Sequence, residues 1–184
     1  DMDQIVDMAR SYQPELLVAD RTVGGEHENY GTPEQHVPTE PITGFWEACI
    51  TLQKRGWTYQ PDQTLWSQEE LIHRFIRVIS DGGNYLIGVG PTAEGTLSPG
   101  AQDRLQAIGE WLEVNGEAVY GTRRGNFQRN RANPHIVYTE TKDGTTAYAH
   151  ILSSPEGRLE IDAPPPVDST GTIAMLGHEV PLDW

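Results

Sequence analysis

Ser67-Gln68-Glu69-Glu70-Leu71-Ile72-His73-Arg74-Phe75-Ile76-Arg77-Val78-Ile79-Ser80-Asp81-Gly82-Gly83-Asn84-Tyr85-Leu86-Ile87-Gly88-Val89 reads as a helix, a stop and a strand in direct succession. Ser67 with Glu70 three residues on is a capping box, and Leu71, Ile72, Phe75, Ile76 and Ile79 recur at the spacing of one helix face. Gly82-Gly83 ends the helix, and Asn84 to Val89 is a short apolar run of the kind that forms a buried strand. Gly90 and Pro91 break that strand. Ser98-Pro99 then opens another helix as N-cap and first-turn proline, with Leu105, Ile108 and Leu112 on one face and Gly116 just past its end.

Upstream, the same grammar repeats. Trp46 to Leu52 reads as a strand carrying Glu47 and Cys49. From Asp3, the positions Ile5, Met8, Ala9 and Tyr12 make the stripe of an amphipathic helix that Pro14 stops. Leu16 to Ala19 is expected as a strand covered on both faces, ending in Asp20-Arg21. Residues 22–45, rich in glycine and proline, form a long irregular loop with Glu26, Glu28, Glu34 and Glu40. The order helix, strand, loop, strand, helix, strand, helix implies an α/β fold with a parallel sheet or barrel. After Tyr120 the pattern changes: Ile136 to Glu140, Thr145 to Leu152 and Leu159 to Ile161 are short β runs, with Asp143-Gly144 as a hairpin turn. The division is placed near residues 116–121, giving a barrel portion over 1–118 and an antiparallel β domain over 119–184. The second part is short for a sandwich of ~100 residues, so it is expected to be a partial one. Pro164-Pro165-Pro166 reads as a rigid link.

Composition excludes several roles. The 184 residues hold 27 Asp and Glu against 13 Lys and Arg, a net charge of −14, and Arg123, Arg124, Arg129 and Arg131 are the only basic cluster, so nucleic acid is disfavoured as a partner. No apolar run approaches the ~20 residues of a bilayer span, and Asp1-Met2-Asp3 has neither part of a signal peptide. Cys49 is the only cysteine, which excludes an internal disulfide and any multi-cysteine metal site. Residue 1 falls inside an apparent helix cap with no Met ahead of it, so the chain is expected to be a fragment.

In a barrel the chemistry sits at the C-terminal ends of the strands, which singles out Asp20, Arg21, Glu34, Glu47 and Gly90 to Gly95. Asp20 and Arg21 could form an ion pair capping the strand, or Arg21 could hold a ligand hydroxyl or carboxylate through its fork of donors. Glutamates on a Gly/Pro-rich loop are usually solvated. Glu34 differs in following the stiff pair Thr32-Pro33 and preceding Trp46, Trp57 and Tyr59. A carboxylic acid beside aromatic faces is suited to general-acid work, and aromatics stack on sugar rings. His27, His36, His73, His135, His150 and His178 lack ligand spacing, so no metal is expected. There is no nucleophile elbow and no phosphate-binding glycine loop.

Leu17-Val18-Ala19-Asp20-Arg21, Tyr30-Gly31-Thr32-Pro33-Glu34-Gln35 and Trp46-Glu47-Ala48-Cys49 occur in the order seen in family 29 glycoside hydrolases, the α-L-fucosidases, which this sequence resembles. Gly82 to Gly95 resembles that family's final barrel strand and turn, and Ile108 to Leu112 with Asn115 to Gly121 its last barrel helix and exit. Ala174-Met175-Leu176-Gly177 resembles a strand of its C-terminal β domain. The likeness is strong to about residue 122 and loose beyond. It implies the C-terminal part of a (β/α)8-type barrel followed by a partial antiparallel β-sandwich. It also implies a retaining exo-glycosidase that removes terminal α-L-fucose with two carboxylates about 5–5.5 Å apart and no cofactor.

By position, Glu34 resembles the general acid/base, Arg21 a residue contacting fucose near the reaction centre, and Trp57 an aromatic wall of the pocket, with Trp46 a further sugar-binding candidate. Glu47, Glu26 and Glu28 are alternatives for the acid/base. Two departures stand out. The family's nucleophile, an Asp at the end of an earlier strand, is not matched by any residue here, and Gly88 stands where the family usually has Asn. The resemblance therefore implies an inactive fragment whose partners are a fucosylated glycan and the missing N-terminal part of the same enzyme. It leaves a secreted, periplasmic or lysosomal location open, and the linkage cleaved and the oligomeric state unread. The rival reading is a non-catalytic carbohydrate-binding or interaction module that kept the framework.

Overall fold

The computed structural model describes residues 1–21, 25–40, 42–125, 133–154, 157–161, 172–180 and 182. Helix α1 (Met2–Tyr12) starts at Asp1, whose carboxylate accepts from the Asp3 N–H, and ends where Gln13 N–H bonds back to Ala9 O ahead of Pro14. Helix α2 (Gln68–Ser80) has the full capping box: Ser67 Oγ accepts from Glu70 N at 3.1 Å and Glu70 Oε2 from Ser67 N at 2.8 Å. It ends as the paired glycines require, with Gly82 at φ +83° and Gly83 N–H returning to Val78 O. Helix α3 (Pro99–Asn115) opens with Ser98 as N-cap and Pro99 in its first turn.

Three parallel strands form the first sheet in the order β1 (Tyr30–Gly31), β2 (Phe45–Thr51), β3 (Asn84–Gly88). Glu47 lies opposite Asn84 and Thr51 opposite Gly88. Alternation along β2 sends Trp46, Ala48 and Ile50 to one face, where they are buried with Val78 of α2. A second cluster joins Leu52, Leu71 and Ala101, tying the loop after β2 to α2 and α3. The other face of the sheet carries Glu47, Cys49 and Thr51 of β2 and Asn84, Leu86 and Gly88 of β3, and it has no helix layer among the described residues.

A second, antiparallel sheet follows in the order β4 (Thr122–Arg124), β5 (Ile136–Thr141), β6 (Ala147–Ile151), with Gly144 at φ +73° in the turn. Ile76 of α2 packs with Val137 and Leu152, so α2 serves both sheets. Arg123 Nε donates to the buried Glu140 carboxylate at 2.9 Å, which pairs one member of the basic cluster with an acidic partner.

Several expectations need correcting. Leu16 to Ala19 is not a covered strand: Ala19 makes one isolated parallel bridge to Tyr30, and Leu17 is 70% exposed. Strand β3 is covered on one face only, with Asn84 and Leu86 exposed. The α1 stripe is a stripe, but Ile5, Met8 and Tyr12 are 54%, 58% and 85% exposed, and only Val6 is buried. Leu159 to Ile161 and Ala174 to Gly177 are not strands, the latter forming a turn with His178 N–H on Met175 O. The triple proline, Arg129 and Arg131 lie outside the described residues.

Candidate active site

Asp20, Arg21 and Glu34 collect just beyond β1, whereas Glu47, expected at a strand end, is the third residue of the seven-residue β2. Asn29 N–H bonds to Val18 O and Asp20 N–H to Tyr30 O, so the Asp20–Arg21 segment is laid beside β1. Past β1, Cys49 N–H donates to Pro33 O at 3.0 Å and Gln35 N–H to Cys49 O at 2.8 Å. That pair of bonds is a one-residue parallel bridge with Glu34 at its centre. The long loop is thus paired to β2 at Glu34.

Four side chains link in series across this edge. Thr32 Oγ1 donates to Asp20 Oδ1, Arg21 Nε donates to Thr32 Oγ1 at 2.7 Å, and Arg21 Nη1 donates to Glu34 Oε2. Asp20 and Arg21 are therefore not a simple capping pair; a threonine hydroxyl stands between them. The Thr32 hydroxyl, more than any other group, holds the Asp20 carboxyl below the usual carboxylate range, with Arg21 adding to the effect. Glu34 raises the Arg21 guanidinium further above its ordinary value. Burial pushes the Cys49 thiol up; Arg21 opposes this, while Glu34 and Glu47 reinforce it. Three charged candidates thus act on one thiol.

Glu34 and Arg21 meet directly, and Glu47 shares their environment around Cys49. The neighbour of Glu34 is a guanidinium rather than an aromatic face. Glu26 lies exposed in a short 3-10 turn (Gly25–His27), with Glu28 just beyond it, and neither takes part in the Asp20–Thr32–Arg21–Glu34 series. Trp46 is 1% exposed in the core behind β2, where a side-chain carbon at Gly83 would lie 2.4 Å from its ring. That placement makes it a packing residue here, turned away from Glu47 and Cys49. Trp57 is 45% exposed on the loop after β2. The loop is fixed at both flanks of Trp57: Thr51 Oγ1 lies 3.4 Å from Gly56 O, and Gln53 Nε2 donates to Thr58 O at 3.2 Å.

Sequence reasoning passed over Thr32, Gln35 and Thr51. The signal for Thr32 was a hydroxyl two residues before Glu34 and facing it along the chain. Gln35 has no sequence signal, since its backbone sits at φ +61°, a conformation that favours glycine. The described residues hold no group of three or more His, Cys, Asp or Glu side chains able to take a metal, and no helix among them is long and apolar enough to cross a membrane.

A family model described as Alpha-L-fucosidase matches residues 1–117. The chain is 38% identical over 158 residues to the tissue alpha-L-fucosidase of Rattus norvegicus, and 33% identical over 159 residues to the plasma alpha-L-fucosidase of Homo sapiens. Each match covers 84% of this chain and 34% of the relative, so the chain spans about a third of the length of these curated relatives. Among solved structures it resembles alpha-L-fucosidase isoenzyme 1 from Paenibacillus thiaminolyticus at a TM-score of 0.72 and 28% identity, over 84% of this chain and 39% of that one. The Thermotoga maritima alpha-fucosidase, solved with a mechanism based inhibitor, matches at a TM-score of 0.62 and 28% identity, over 77% of this chain and 33% of that one.

Proposed function

The chain belongs to the α-L-fucosidase family, and on that premise we propose that it is the acid/base-bearing part of an exo-acting retaining α-L-fucosidase acting on fucosylated glycans. In this reading, residues 1–118 are the closing part of a (β/α)8-type barrel, and residues 119–184 belong to an antiparallel β-sandwich-type domain. The three parallel strands, with helices on one face and Glu47, Cys49 and Thr51 on the other, support it. The single observation that carries the site is the contact of Arg21 with Glu34 at the strand ends.

Double displacement assigns the parts. In the first step Glu34 gives its proton to the glycosidic oxygen as the bond from the anomeric carbon breaks and a carboxylate from outside this chain bonds to that carbon. In the second step the Glu34 carboxylate takes a proton from water as the water oxygen displaces that carboxylate and fucose leaves. Arg21 presents a planar fork of donors, so a sugar hydroxyl can take over its Nη while Glu34 turns to the leaving group. Trp57, exposed on a pinned loop, supplies an aromatic wall for the apolar face of the sugar. A nucleophile lies outside this proposal, so the 184 residues alone are expected not to hydrolyse fucosides.

Glu34→Gln in the complete protein tests the assignment. Turnover of fucosides with poor leaving groups should fall by roughly 10²–10⁴-fold, the usual worth of general acid catalysis, while activated aryl fucosides lose far less because their leaving groups need no proton. Equal losses on both would move the role to Glu47, Glu26 or Glu28.

A further inference from the structure

Gln35 carries two costs side by side. Its backbone sits at φ +61°, a conformation that strains a residue with a side chain, and its Nε2 is buried without a hydrogen-bond partner among the described residues, although buried amides are normally satisfied. Strain of this kind persists where the surroundings enforce it and gathers at functional sites. What enforces it here is Thr51. The Gln35 side-chain oxygen accepts from Thr51 N at 3.3 Å and lies 3.1 Å from Thr51 Oγ1. Thr51 is itself tightly enclosed: it is buried at the end of β2, donates from Oγ1 to Gln53 O at 2.8 Å, and its methyl lies 3.0 Å from where a side-chain carbon would stand on Gly88.

We propose that Gln35 is a positioning residue for Glu34, its amide fastened to Thr51 so that the turn after Glu34 directs that carboxylate onto Arg21. The proposal rests on the reading of Glu34 as the acid/base, and deepens it. Without the fastening, the segment keeps its two backbone bonds to Cys49 and the contact of His36 Nδ1 with Glu34 O at 3.0 Å, none of which engages the Gln35 side chain. A lone bridge of that sort frays, and the carboxylate swings with it. The geometry thus runs from Gly88, which leaves room for the Thr51 methyl, through Thr51 and Gln35 to Glu34.

The test uses the 184-residue chain and two variants of near-constant volume, Gln35→Leu and Thr51→Val. The readout is solvent exchange of the Arg21 Nε–H, observed by nitrogen-15 NMR, because that proton is bonded to Thr32 Oγ1 in the same series as Glu34. Gln35→Leu should speed the exchange about tenfold, the factor one hydrogen bond of ordinary net strength is worth, and Thr51→Val should move it in the same direction by less. Parent-like exchange in Gln35→Leu, whatever its melting temperature, would overturn the proposal. Should Gln35→Leu not fold, Gln35→Asn decides, since its shorter amide cannot reach Thr51, and parent-like exchange there would overturn it equally. In the complete protein, Gln35→Leu should lower turnover of poor leaving groups with little change in KM. Faster exchange with an unchanged leaving-group profile would uphold the positioning and count against Glu34 as the acid/base.

Discussion

At the residue scale, function turns on small groups that set where larger ones lie. Gly90 is the sharpest case: a side-chain carbon there would stand 2.5 Å from Tyr59 N and 3.0 Å from the Thr58 carbonyl carbon, both backbone atoms of the loop that carries Trp57. Gly90→Ala must therefore push the whole loop off the end of β3. Overpacking of this degree costs about 2–3 kcal/mol, which in a chain of this size lowers the melting temperature by roughly 5–10 °C, measurable by calorimetry. An unchanged melting temperature would mean the loop is not seated on Gly90. The same scale shows what a sequence carries and what it hides. Arg21 and Glu34 were singled out from local patterns, a charged pair after an apolar run and a glutamate after Thr-Pro, and the structure brings their side chains into contact. Trp46 was misread: an aromatic at a strand start looks alike whichever face it takes, and only the closeness of Gly83 and Val78 decides that it faces the core. Gln35 and Thr51 were hidden, since their contacts run between distant segments.

At the element scale, α2 was legible to its boundaries because a capping box and a glycine stop are chemistry within a few residues of sequence. Ser67→Ala should cost about 1 kcal/mol by freeing the Glu70 N–H, read as a lower urea midpoint; an unchanged midpoint would mean the cap does not carry α2. The Leu16 to Ala19 run failed as a strand for the opposite reason. Apolar residues in a row predict burial only if something covers them, and here the segment has one bridge and an exposed Leu17. In the antiparallel sheet, the decisive group is His150 on β6, buried against Thr139 with Nε2 and Oγ1 3.0 Å apart. Burial pushes its pKa down to about 4. The unfolded chain takes up a proton near pH 6.5 that the folded chain refuses until about pH 4, so stability is full above pH 6.5 and falls as pH drops through that window. The loss amounts to about 3 kcal/mol. Urea midpoints measured across the window should fall with pH in the parent and much less in His150→Gln; parallel curves would place the pH dependence elsewhere.

At the scale of the whole molecule, the order of helices and strands announced an α/β fold with a parallel sheet, and the described sheet is parallel throughout. How many faces that sheet has covered was not legible, because a strand buried on one side and a strand buried on both can share one apolar run. The described residues leave Ile5, Met8, Tyr12, Leu17 and Leu86 exposed around it. A net charge of −14 holds such chains apart at low salt, and salt screens that repulsion. The 184-residue chain should therefore self-associate as salt is raised, seen by sedimentation, and a monodisperse monomer at high salt would contradict the exposed faces. For the complete protein, Glu34 is proposed as the acid/base of a double displacement. Glu34→Ala with an activated aryl α-L-fucoside and added azide tests it most directly, since a small anion can replace the missing base by attacking the covalent intermediate itself. Two inversions in sequence predict restored turnover and α-L-fucosyl azide as product. The β-anomer, or no rescue at all, would contradict the account.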